Sequence, residues 1–98
     1  MAPTFEVTSR FEADWSRLDA AAKQRFVVAK GHLVADVRAG RVPRPGLRVK
    51  RVVGSDGVWE MTFAPDGRAT FEYGAEIRPG EVHVVWRRIG SHAVLDRA

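Results

Sequence analysis

Four β-type runs fill residues 47 to 89, and every turn between them is too short to carry a crossover helix. Leu47–Val53 ends at Gly54-Ser55-Asp56-Gly57, and Val58–Ala64 ends at Pro65-Asp66-Gly67. Arg68–Ile77 ends at Arg78-Pro79-Gly80, and Glu81–Ile89 ends at Gly90. Consecutive strands joined so tightly pair antiparallel, so this half of the chain predicts a meander. Pro-Asp-Gly between β-formers predicts a hairpin built on a type I turn, with Gly67 in the left-handed position.

The first half has a different period. Thr4 to Ser9 reads as a short strand with Phe5 and Val7 on one side. Phe11, Trp15 and Leu18 then recur at helical spacing. Asp19 is a good N-cap for a second helix, and Ala20-Ala21-Ala22 behind it are strong helix formers. Ala22, Phe26, Ala29, Leu33 and Val37 form its apolar stripe, and Gly40 is a natural stop. Gly31 costs about 1 kcal/mol inside such a helix relative to Ala, which predicts a close backbone contact there. A helical hairpin with one apolar face must cover a sheet. The expected architecture is α+β, in the order β-α-α-β-β-β-β. An N-terminal strand and the helical hairpin pack on one face of a twisted antiparallel sheet, as one domain over residues 1–98.

Alternation along the strands assigns the faces. Leu47, Val49 and Val53 oppose Arg48 and Lys50; Trp59, Met61 and Phe63 oppose Glu60 and Thr62. Ala69, Phe71 and Tyr73 oppose Arg68, Thr70 and Glu72. The apolar set faces the helices, which leaves Arg48, Lys50, Glu60, Thr62, Arg68, Thr70 and Glu72 together on an open face. If the turn pairs Ala64 with Arg68, Thr62 faces Thr70 and Glu60 faces Glu72. Two adjacent carboxylates need a cation between them, with Lys50 and Arg88 as the candidates. The last strand is ambiguous, because Val85 and Ile89 share parity with Arg87 while Val82, Val84 and Trp86 share it with Arg88.

Charge is concentrated rather than spread. The net charge is +4, and residues 40–53 carry Arg41, Arg44, Arg48, Lys50 and Arg51 with no acidic group. Such a segment suits a polyanion, or protects an exposed strand edge. The chain has no cysteine, so a disulfide framework and a cysteine-based metal site are excluded. No signal peptide is visible at Met1-Ala2-Pro3-Thr4-Phe5-Glu6, and no apolar run is long enough to span a bilayer. A cytoplasmic protein without membrane attachment is expected. Arginine grips a phosphate with two donors, and histidine moves protons near neutrality. Arg68, Arg87, Arg88 and His92 on neighbouring strands therefore suggest phosphodiester chemistry.

Layout and motifs together resemble the RelE/ParE toxin superfamily of bacterial toxin–antitoxin systems. Phe11 through Leu18 resembles the opening pattern of that family's first helix. Leu47-Arg48-Val49-Lys50, leading through a glycine turn to Val58-Trp59-Glu60-Met61, resembles its core-strand segment. Gly67-Arg68-Ala69-Thr70-Phe71-Glu72-Tyr73 is similar to its arginine-led strand, and Arg87-Arg88-Ile89-Gly90-Ser91-His92 to its R-I-G-x-H ending. The resemblance covers roughly residues 4 to 96. It implies a ribosome-dependent endoribonuclease that cuts mRNA by attack of a 2′-hydroxyl on the adjacent phosphate, with no metal or cofactor. Arg68 matches the phosphate-holding arginine, and His92 matches the C-terminal acid or charge stabiliser. Arg48, Lys50 and Arg51 lie where members have basic residues facing RNA, and Arg87 and Arg88 join them as RNA-binding candidates. Glu60 and Thr62 stand where RelE-like members often carry lysines, and the terminal Asp96-Arg97-Ala98 has no catalytic tyrosine. Glu60 and His92 are thus the candidate bases.

The implied partners are a cognate antitoxin, mRNA and the ribosome, with operator DNA reached only through the antitoxin complex. Three tryptophans supply apolar area that an antitoxin helix or strand would cover, and His32 is expected at a packing or antitoxin contact. His83 is expected to be a sheet residue without chemistry. The resemblance also admits a ParE-like toxin that inhibits DNA gyrase without nuclease activity, or a degenerate homologue that only binds antitoxin.

Overall fold

The computed structural model of the protein describes residues 3–98. The element order is β1 (Thr4–Val7), α1 (Ser9–Ser16), α2 (Ala20–Arg38), β2 (Lys50–Arg51), β3 (Trp59–Thr62), β4 (Gly67–Gly74) and β5 (His83–Ser91). A short 3-10 turn covers Pro45–Leu47, and a C-terminal 3-10 helix covers His92–Arg97. Among the described residues no helix is long and apolar enough to cross a membrane.

The helix signals act as read. The Thr8 hydroxyl caps α1 by accepting from the Phe11 N–H, and Asp19 Oδ1 caps α2 from the Ala22 N–H at 2.8 Å. Gly40 follows α2 with φ +70, the left-handed stop that glycine adopts without a Cβ clash. Phe26, Ala29 and Leu33 are buried beneath α2. They meet Phe11, Leu47, Met61, Ala69, Phe71, Val84, Trp86 and Ile89 in one core. Phe26 stands edge-on to Trp86, with ring centroids 5.1 Å apart. Gly31 departs from expectation: a Cβ added there meets nothing within 4 Å, so no backbone approach requires the glycine. Gly31→Ala is expected to stabilise the fold by about 0.5–1 kcal/mol, read as a raised urea midpoint with unchanged slope.

The sheet is mixed rather than wholly antiparallel. Its order is β1-β5-β4-β3-β2. The last four strands form the expected meander, and β1 adds to β5 in parallel, from Thr4 opposite His83 to Val7 opposite Trp86. The crossover that a parallel pair needs is supplied by the helices and the meander. Strand β5 is therefore interior, and its arginines protect no edge. His83, buried in β5, ties β1 down: Nδ1 lies 2.8 Å from Thr4 Oγ1 and Nε2 lies 2.8 Å from Glu6 Oε1.

Three further departures bear on the site. The run Leu47–Val53 shortens to Lys50–Arg51, because Pro45 starts a 3-10 turn and Arg48 follows it with φ +49. The hairpin loop is Ala64-Pro65-Asp66, closed by Gly67 N–H to Ala64 O at 3.0 Å and Phe63 N–H to Gly67 O at 3.1 Å. Thr62 thus faces Arg68 and Glu60 faces Thr70, so Glu60 and Glu72 are not opposed. Gly67 has no positive φ. Its requirement is steric, since a Cβ would lie 2.7 Å from the Phe63 ring and 2.9 Å from Ala64 Cβ. Finally, the β4–β5 register shifts between Thr70 and Phe71: Thr70 pairs with Arg88 and Phe71 with Trp86. The extra residue, Arg87, lets both Trp86 and Ile89 enter the core and resolves the parity conflict.

Candidate nucleic-acid interface

The hairpin and the end of β5 set the first half of the site. Gly67 pairs with Ser91 and Arg68 with Gly90, so Arg68 and His92 arrive at one end of the β4–β5 pair. Ser91 caps the 3-10 helix with its hydroxyl on the Ala93 N–H, and the His92 N–H reaches Asp66 Oδ1 of the hairpin turn at 3.4 Å. The His92 side chain is exposed. Glycine at 90 leaves room for the returning chain, because a Cβ there would lie 2.9 Å from Val94 Cγ1. The Arg68 guanidinium lies against the turn, with Nη1 donating to Gly67 O at 3.0 Å and Ala64 O at 3.3 Å. Among the described residues it has no carboxylate within ion-pairing distance.

The C-terminal 3-10 helix covers part of the sheet face expected to be open. Thr70, on that face, is wholly buried. Glu60 is only 6% exposed and pairs with Lys50 Nζ at 3.8 Å, which makes Lys50 the cation beside it. Arg51 lies over the Trp59 ring at 5.5 Å. Glu72 finds its cation in Arg87 rather than Arg88, at 3.3 Å, and Arg87 Nε also donates to the Ala98 carbonyl.

Arg88 turns to α1, where Nε and Nη2 grip both oxygens of the buried Asp14 at 2.6 and 3.1 Å. Burial alone would raise the Asp14 carboxyl; the Arg88 bonds and the Ile89 N–H outweigh it and hold it below the ordinary carboxylate range.

Arg48 and Arg68 instead share an open groove of about 920 Å³ between α2, the Pro45–Leu47 turn and the hairpin loop. Arg25, Arg44 and His32 also line it. Ala21, Arg25, Val28 and His32 recur at four-, three- and four-residue steps, so they form a second stripe along α2 beside the core stripe. That spacing was present in the sequence, but it carries no apolar signature and mixes charge with small residues, so periodicity of hydrophobicity passes over it. Arg44 is committed to the framework. Its guanidinium clasps Asp36 through two bonds of 2.9 Å, and with its backbone N–H it holds that carboxyl down at about 2. The clasp ties the loop after α2 to the helix and so places Arg48 at the groove.

No protein-family model matches the sequence, and no curated protein matches it at the sequence level. Solved structures do match. The E. coli DinJ–YafQ toxin–antitoxin complex aligns with a TM-score of 0.63 at 14% identity, over 97% of this chain and 98% of that one. The RelB–RelE antitoxin–toxin complex from Methanococcus jannaschii aligns at 0.61 and 10% identity, over 92% and 93%. A copper-bound mutant toxin from Helicobacter pylori aligns at 0.58 and 14% identity, over 93% and 96%. The chain has a RelE/YafQ-like fold.

Proposed function

We propose that this protein is the toxin of a toxin–antitoxin pair and acts as a metal-independent endoribonuclease on mRNA at the ribosome. The observation that carries the reading is the arrival of Arg68, which has no carboxylate partner among the described residues, and His92 at one end of the β4–β5 pair. Fold likeness over nearly the full length of chains crystallised as toxins with antitoxins supports the toxin role.

Cleavage by the 2′-hydroxyl needs three things. A base must take the 2′ proton as that oxygen attacks phosphorus, a cation must hold the phosphate oxygens as charge builds, and an acid must protonate the departing 5′ oxygen. Arg68 is assigned to the phosphate, where its planar fork matches two oxygens. His92, exposed at the start of the 3-10 helix, is assigned to the leaving oxygen. Glu60 is the carboxylate assigned to the 2′ proton, with Lys50 beside it. Arg48, Lys50 and Arg51 are assigned to the RNA backbone, whereas Arg87 and Arg88, expected from the sequence to join them, are held by Glu72 and Asp14 and act as the frame of β5. A cognate antitoxin holds the toxin inactive and brings it to operator DNA.

Induced expression in a bacterial host, with transcript ends mapped by primer extension, tests this reading. Growth arrest with cuts inside translated reading frames, lost when the start codon is removed, is the expected result. Intact transcripts with a DNA-damage response would replace it with the gyrase-inhibitor reading.

A further inference from the structure

We propose that the groove between α2 and the hairpin loop is a second RNA-binding subsite. It would hold single-stranded nucleotides flanking the phosphate at Arg68. The inference rests on the nuclease reading for its orientation, and on the groove itself for its chemistry.

The groove is built for repeated negative charge. Among the described residues Arg25, Arg48 and Arg68 have no carboxylate within ion-pairing distance, and no acidic residue lines the groove. Three separate unpaired guanidiniums call for a ligand with several anionic groups, which a sugar–phosphate chain supplies at regular intervals. The walls between them, from Val28, Leu47, Phe63 and Pro65, are apolar and suit the faces of unpaired bases.

Arg48 adds an independent sign. It holds φ +49, a conformation that costs an L-residue with a Cβ roughly 1 kcal/mol or more. Glycine would meet the backbone need without that strain, which points to a role carried by the arginine side chain itself. Arg68 lines the groove and also stands at the His92 end of β4. A strand held at Arg68 would therefore run directly into the groove, and this continuity favours RNA over an acidic protein segment.

The test uses a fluorescein-labelled, single-stranded RNA carrying 2′-O-methyl groups, which binds without being cut, titrated at several salt concentrations. The double variant Arg25→Ala/Arg48→Gly is expected to lose about tenfold or more in affinity per arginine at low salt. The slope of log affinity against log salt should shrink by about 1.4, two contacts at about 0.7 each. Its thermal midpoint should be unchanged or raised, because glycine relieves the left-handed position. Arg25→Gln alone, on an exposed helical face, should give half the slope change and guards against a folding artefact.

Unchanged affinity and slope in both variants would overturn the subsite. So would unchanged RNA binding with weakened binding of the cognate antitoxin, since the groove would then be a protein-docking surface. The outcomes separate from the nuclease reading. Intact transcripts in cells together with the predicted loss of oligonucleotide binding would sink the nuclease and leave the groove. Cut transcripts with full oligonucleotide binding by the double variant would do the reverse.

Discussion

Replacing His92 by alanine is expected to slow mRNA cleavage by about 10²–10⁴-fold, the usual cost of removing one positioned acid. Growth arrest should disappear at matched expression. The side chain is exposed and the bond to Asp66 comes from the backbone N–H, which alanine keeps, so the melting curve and antitoxin binding should stay at wild-type values. Arg68→Ala should lose activity to a similar extent, since a hydrogen-bond donor to developing phosphate charge is worth about 10²–10³-fold. Arg68→Lys should recover little, because a point charge lacks the two-pronged geometry. The turn carbonyls that Arg68 holds keep their backbone bonds from the Gly67 and Phe63 N–H groups, so only a small loss of stability accompanies the change. Full toxicity in both alanine variants would remove these two residues from the mechanism.

The largest effect on stability is expected at a residue with no assigned chemistry. Asp14 is buried at the end of α1, takes two bonds from Arg88 and one from the Ile89 N–H, and so joins the helix to the centre of β5. Asp14→Ala leaves a guanidinium largely out of water with no carboxylate. Breaking such a pair costs about 3–5 kcal/mol, on the order of 15 °C or more in Tm for a domain of this size. The double change Asp14→Ala/Arg88→Met should recover much of that loss, because the cost lies in the orphaned charge rather than in the absent pair. Urea denaturation of the three variants measures it; a fall below about 1 kcal/mol for Asp14→Ala would show that water reaches Arg88.

The parts of the fold legible in the sequence were those with local causes. Asp19 and Gly40 bound α2 because a cap and a left-handed stop act within a few residues. Pro65-Asp66-Gly67 marked the hairpin for the same reason. The register did not follow from the turn, because Gly67 is required by the Phe63 ring rather than by its own φ. The bulge at Arg87 was likewise hidden, and parity in β5 conflicted until one residue was looped out.

The pairing of β1 with β5 joins residues far apart in the chain, so no local pattern encodes it. At the candidate site, the convergence of Arg68 and His92 on one end of the sheet was visible from their order in the chain. Which basic residues stay unpaired was not, since Arg44 and Arg88 are claimed by Asp36 and Asp14 across elements that only the folded chain brings together. Arg25 and His32 enter the groove through a mixed stripe that hydrophobic periodicity does not register.

A cut made by the RNA's own 2′-hydroxyl leaves ends whose chemistry identifies it, and mapping those ends is the most direct test. Transcripts from cells expressing the wild-type protein should carry a 2′,3′-cyclic phosphate upstream of the cut and a free 5′-hydroxyl downstream, both absent with Arg68→Ala. A 3′-hydroxyl facing a 5′-phosphate, or no cut at all in arrested cells, would contradict it.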